Sequence, residues 1–162
     1  MTTLLLHVFV AGLALALARP DPPPQADLCA LLTEAEAEAI VGKPLAAPES
    51  QPNGDCWYPE RAGGGGGGEI MLHVFPHRFG SEEEFHAFLV KEVKAMDESM
   101  KKAMEKMGAP FEETALEPVP EVKAPAYYAD PTLFVLKGGR MLGIAASRPH
   151  AVAVAAKALP RF

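Results

Sequence analysis

The stretch from Ser81 to Gly108 constrains this chain more than any other. Ser81 and Glu84 have the spacing of a capping box, and Glu82 and Glu83 put negative charge at the positive end of a helix. Phe85, Phe88, Leu89, Val93, Met96, Met100, Ala103 and Met107 then recur at three- and four-residue intervals, the period of one helix face. Gly108 and Pro110 end the run. The pattern predicts one long amphipathic helix over Glu82 to Met107. Lys91, Lys94, Lys101, Lys102 and Lys106, mixed with Glu92, Asp97, Glu98 and Glu105, make its outer face wet and laced with weak ion pairs.

Shorter elements surround it. Thr33 and Glu36 form another capping box, Ala37, Ile40 and Val41 share a face, and Gly42 and Pro44 close a first helix. Leu28, Leu31 and Leu32 pack the turn before it. Pro48 to Asp55 reads as loop. Asp55 to Glu60 is expected as a strand with Cys56 and Tyr58 on one face and Trp57 on the other. Glu69 to Phe75 is a second strand, fairly apolar on both faces, which implies cover by a helix or another layer. Pro76 to Gly80 is expected to turn the chain. Phe111 to Pro125 reads as an extended connection interrupted by Pro118, Pro120 and Pro125. Tyr127 and Tyr128 mark a short strand, and Leu133–Lys137 and Arg140–Ala145 form a hairpin across Gly138-Gly139. A last helix starts at Ser147 with Pro149 in its first turn, packs through Val152, Ala155, Ala156 and Leu159, and stops at Pro160. Helix, two strands, long helix, three strands and helix give an α+β fold: an antiparallel sheet of about five strands with one long and two shorter helices. The 162 residues suffice for one domain, residues 28–162.

The first eighteen residues carry no Asp, Glu, Lys or Arg, and the apolar run Leu4 to Ala18, broken only by His7, is short for a span of about 20 residues. Small residues at Ala16 and Ala18 suit a signal-peptidase site, so residues 1–18 read as a cleaved export signal. A retained anchor and a mis-assigned start are the alternatives, since no Lys or Arg precedes the run. Residues 19–27, RPDPPPQAD, are an extended Pro-rich spacer. The expected location is periplasmic or secreted, with no stable membrane span after cleavage. A net charge of −6 disfavours nucleic acid and anionic membrane as partners.

Cys29 and Cys56 are the only cysteines. Outside the cytoplasm an isolated pair in a small domain is most simply one disulfide. Free thiols and metal ligation are the alternatives, but a redox pair is normally Cys-x-x-Cys and structural zinc needs more ligands. The tract Gly63 to Gly68 leads into a strand and lacks the Lys and Ser/Thr of a P-loop, so it reads as a mobile hairpin connection. His73, His77 and His86 lack metal-ligand spacing, and His150 reads as a surface residue. Met96, Met100, Met104 and Met107 are read as core filler, with Cu(I), a hydrophobic ligand or a partner as the other occupants of such a stripe. Ser50, Ser81, Ser99 and Ser147 sit in no nucleophile motif. Lys137, Arg140 and Arg148 could meet an anion or simply protect a sheet edge. No catalytic residue, cofactor site or metal site is assigned.

The segments LCALLTEAEAEAIVGKPL, GDCWY and APAYYADPTLFVLKGGRMLGIA resemble small exported bacterial proteins and lipoproteins of unknown function. That resemblance spans roughly Leu28 to Ala158. It implies an α/β/α sandwich similar to the photosystem extrinsic subunit (PsbP-like) fold, and a Cys29–Cys56 disulfide. The chain departs from the lipoprotein members in lacking a lipobox cysteine. The functional expectation is an exported, non-enzymatic domain that binds or supports an envelope or extracellular component, with a small ligand as a further possible partner. The alternatives are a soft-metal or small-ligand binding protein, and a hydrolase using dispersed acidic residues or Ser147.

Overall fold

The computed structural model describes residues 27–61 and 69–162. The expected export signal, nearly all of the spacer and the glycine tract lie outside the described residues. The Thr33 hydroxyl accepts from the Glu36 N–H at 3.2 Å while the Glu36 carboxylate accepts from the Thr33 N–H at 3.0 Å. This reciprocal cap starts α1, Glu34–Val41, and Gly42 ends it in the left-handed region. The long helix, α2, runs over the expected Glu82–Met107. Its cap is only half of the expected box: Ser81 accepts from the Glu84 N–H at 3.2 Å, but Glu84 reaches back to the Gly80 N–H at 2.7 Å instead of to Ser81. The last helix, α3, spans Arg148–Ala158. Ser147 makes no side-chain cap bond there; its carbonyl accepts from Ala151 at 2.8 Å.

Seven strands form one antiparallel sheet where about five were expected. They are β1 Glu49–Ser50, β2 Cys56–Tyr58, β3 Ile70–Arg78, β4 Glu117–Pro118, β5 Ala126–Ala129, β6 Thr132–Lys137 and β7 Arg140–Ala145, ordered β1-β2-β3-β7-β6-β5-β4. The two additional strands are two-residue edges in segments read as loop. Proline lacks only the N–H, so Pro118 can lie opposite Tyr127 in an edge strand. β3 also runs past its expected end. It carries Pro76 through a register shift between Phe75 and Arg78, where the ladder tolerates a missing donor. Gly138 (φ 58°) and Gly139 (φ 75°) supply the left-handed turn that closes the β6–β7 hairpin.

Alternation along the strands separates two cores. On one face Tyr58, Leu72, Leu133, Val135, Leu142 and Ile144 pack with Leu28, Leu31 and Leu32, with α1, and with Ala151, Val154, Ala155 and Ala158 of α3. The expected α3 stripe is thus rotated: Ala156 is exposed and Val152 and Leu159 are only partly covered. On the other face Phe85 and Leu89 of α2 pack with Phe79, Leu136 and Met141. The molecule has three layers, α1 and α3, then the sheet, then α2. Gly143 in mid-strand leaves room for the Phe75 ring, which would lie 3.0 Å from a Cβ at that position.

The first core is tied at both ends of the chain. Cys29 and Cys56 form a disulfide with Cα atoms 5.2 Å apart, joining the turn before α1 to β2. Tyr58 donates its buried hydroxyl to the Leu32 carbonyl at 2.7 Å, and burial pushes its phenol up to about 12. Arg161 grips Glu36 with two nitrogens at 2.6 and 2.8 Å and donates to the Leu31 carbonyl at 3.0 Å. The Arg161 side chain, and then the Thr33 N–H, hold the Glu36 carboxyl down at about 2.

Removing the disulfide in a Cys29→Ala/Cys56→Ala variant should lower unfolding free energy by about 3.5 kcal/mol, from the loop it closes, as read by urea denaturation. Glu36 binds its proton more weakly folded than unfolded. Its contribution is therefore complete above about pH 4.5 and is lost as pH falls toward 2. Arg161→Ala should flatten that part of the acid-stability profile, measured by circular dichroism between pH 5 and 2.

Candidate binding face

The residues weighed for chemistry are held apart. The imidazole of His73 is hydrogen-bonded to Asp55, a buried carboxylate that also accepts from the Asn53 amide at 2.8 Å. The His73 ring stands edge-on to Phe75 with centroids 4.3 Å apart. His77 instead stacks on Phe88 at 5.1 Å, and His86 lies against Tyr127 at 4.9 Å. Among the described residues no group of three or more His, Cys, Asp or Glu side chains is arranged to hold a metal ion. The three cations near the last hairpin are dispersed too. Lys137 donates to the Leu159 carbonyl, Arg140 lies 4.1 Å from the centre of the Phe162 ring, and Arg148 pairs with Glu117.

Arg148 and Glu117 border a polar cleft of about 420 Å³ with Tyr128 and Asp130. The Tyr128 hydroxyl lies 2.9 Å from the Asp130 carboxylate and 3.2 Å from the Ala146 carbonyl. Burial, followed by the bond to Asp130, pushes the phenol up to about 12, so it stays protonated near neutrality and is no general base there. Ser147 is exposed close by in sequence, and among the described residues no hydrogen bond links it to a histidine.

The more unusual feature is on α2. Of its 26 residues only Phe85, Leu89 and Val93 are buried. The same face continues through Met96, Met100 and Met107, yet these are 45%, 46% and 69% exposed. Met96, Met100 and Met107 therefore do not fill the core, contrary to expectation, and Met104 of the same stripe is only partly covered. Periodicity identifies the inward-facing side of a helix but carries no information on how far the layer beneath extends. Here the cover ends at Val93, and residues 94–107, about 21 Å of helix, carry their apolar side uncovered.

A return strap fixes this protruding half. Gly108 (φ 66°) caps α2, and the Ala109 N–H reaches the Met104 carbonyl at 3.0 Å. The chain then doubles back, and Asp97 accepts from both the N–H and the hydroxyl of Thr114, at 2.8 and 2.7 Å. A groove of about 460 Å³ lies between helix and strap, with Val90, Val93 and Lys101 on one side and Phe111 and Leu116 on the other. The strap covers the Asp97 flank and leaves the opposite flank open: Glu92, Ala95, Ser99, Ala103 and Lys106 are all exposed.

Among the described residues no helix is long and apolar enough to cross a membrane. Comparison of the chain with protein-family models, with curated proteins and with solved structures finds no match. The uncovered face is accordingly characterised by its own geometry.

Truncation should separate the two halves of α2. Leu89→Ala, in the covered half, should cost about 2–5 kcal/mol. Met100→Ala, eleven residues further on the same face, should stay within about 0.5 kcal/mol. Urea denaturation of both variants measures the difference.

Proposed function

We propose that this chain is an exported, non-enzymatic domain that binds or supports an envelope or extracellular component, and that the uncovered side of α2 is its contact surface. The observation that carries this reading is the continuation of a core-type apolar face for a further 14 residues with no buried member. The Cys29–Cys56 bond fits an oxidising, non-cytoplasmic location, and with the apolar leader it supports a periplasmic or secreted protein. Two helices on one sheet face and one on the other support the PsbP-like α/β/α sandwich as the architecture.

Exposure of Met96 and Met100 also favours a second reading. Thioethers at four-residue spacing on one face are accessible ligands for Cu(I). The two readings separate experimentally. A photoreactive residue placed at Met100 should give discrete protein adducts in the native compartment, while the same residue at exposed Lys157 on α3 should give none. Equal labelling from both positions removes the face from the function. Saturable heat on adding Cu(I), lost in Met96→Leu/Met100→Leu, would transfer the face to the metal reading.

A further inference from the structure

We propose that the polypeptide covering the free side of α2 is a second copy of this chain, packed antiparallel about a two-fold axis near Ser99. This rests on the face being a protein contact, and it names the occupant. Glu92, Ser99 and Lys106 are spaced by seven and lie on one line along the open flank. In an antiparallel pair such a line faces its own copy. A two-fold axis at Ser99 brings Glu92 of each helix opposite Lys106 of the other, so both charge contacts are complementary. In the same register Met96 of each copy lies two residues, about 3 Å, from the level of Met100 of the other, close enough for these flexible side chains to meet. Ala95, Ser99 and Ala103, exposed beside the methionines, permit close approach of the two backbones.

The cover left by the fold fits this register. With the axis at Ser99, Met107 of one copy comes level with Lys91 of the other, two residues beyond Val93, the last buried position of α2. The overlap thus takes in the whole uncovered length and ends just inside the buried half, and the two globular bodies lie at opposite ends of the helix pair. The strap and Asp97 occupy the other flank, which leaves the Glu92–Lys106 side as the open approach. An unrelated partner would need its own acidic and basic groups at this spacing; a second copy already has them.

Sedimentation equilibrium of the purified protein should show a concentration-dependent dimer. Met100→Glu should leave a monomer whose circular dichroism is unchanged, because the residue supports no core. Glu92→Lys and Lys106→Glu should each weaken the dimer roughly tenfold, since each turns both contacts from attraction into repulsion. Mixing the two single variants in equal amounts should restore assembly, because the substituted helices complement each other at both contacts. A monomer at every concentration overturns the proposal, as does a dimer whose single variants do not recover on mixing. A monomer that still gives specific adducts from position 100 loses only the second copy and keeps the docking face. A dimer indifferent to Met100→Glu, with no adducts from position 100, removes both.

Discussion

The centre of the sheet, β3–β7–β6, is apolar on both faces, and the placement of every helix follows from covering it. Leu72, Ile144, Leu142, Leu133 and Val135 point to one side, while Met141, Leu136, Phe75 and Phe134 point to the other. Such a sheet cannot face water on either side without exposing large side chains, so it takes a helical layer on each. The two layers differ in kind. Short helices rich in alanine settle closely on one face, and a single long helix touches the other through three buried residues.

That difference sets where the fold is held most firmly. The layer of α1 and α3 is fastened by a covalent bond at Cys29, by the Tyr58 hydroxyl on Leu32, and by Arg161 on Glu36, which joins the last turn to the first helix across 125 residues. Each acts on the segment around Leu28–Glu36, whose Leu28, Leu31 and Leu32 are buried in this core. Among the described residues the α2 layer has no comparable clasp. Its fixed points are the Ser81 cap, the aromatic cluster of Phe79, Phe85 and Phe88, and the Asp97–Thr114 clip. Beyond them helix propensity and Gly108 maintain regular structure without burial. A surface with the hydrophobic pattern of a core and the exposure of a rim results. The functional proposal depends on that combination.

Much of this was legible because the signals are local. The Thr33–Glu36 box, the limits of α2, the Gly138-Gly139 turn and the Tyr127-Tyr128 strand involve residues within a few positions of one another, and the structure has each of them. The errors arose where a local signal depended on something distant. Edge strands at Glu49–Ser50 and Glu117–Pro118 exist because β2 and β5 offer free hydrogen-bonding edges, and their own residues read as loop. β3 passes through Pro76 because β7 tolerates a register shift there. Ser147 keeps its N-cap position without a side-chain bond, and the buried stripe of α3 is turned because neighbouring surfaces, not alanine spacing, choose the inward side.

The sequence by itself determined the number and kind of helices, the side of α2 that is apolar, and the two sulfurs available for pairing. These depend on spacing along one chain, at 3.6 residues per turn or two per strand repeat. Tertiary structure alone decided that Met96, Met100 and Met107 face solvent. A residue's face is a property of its own helix, whereas its burial requires atoms from elsewhere to arrive against it. Here Phe85 and Leu89 pack on the sheet, Val93 is the last buried residue of α2, and no atoms arrive to bury the face beyond it.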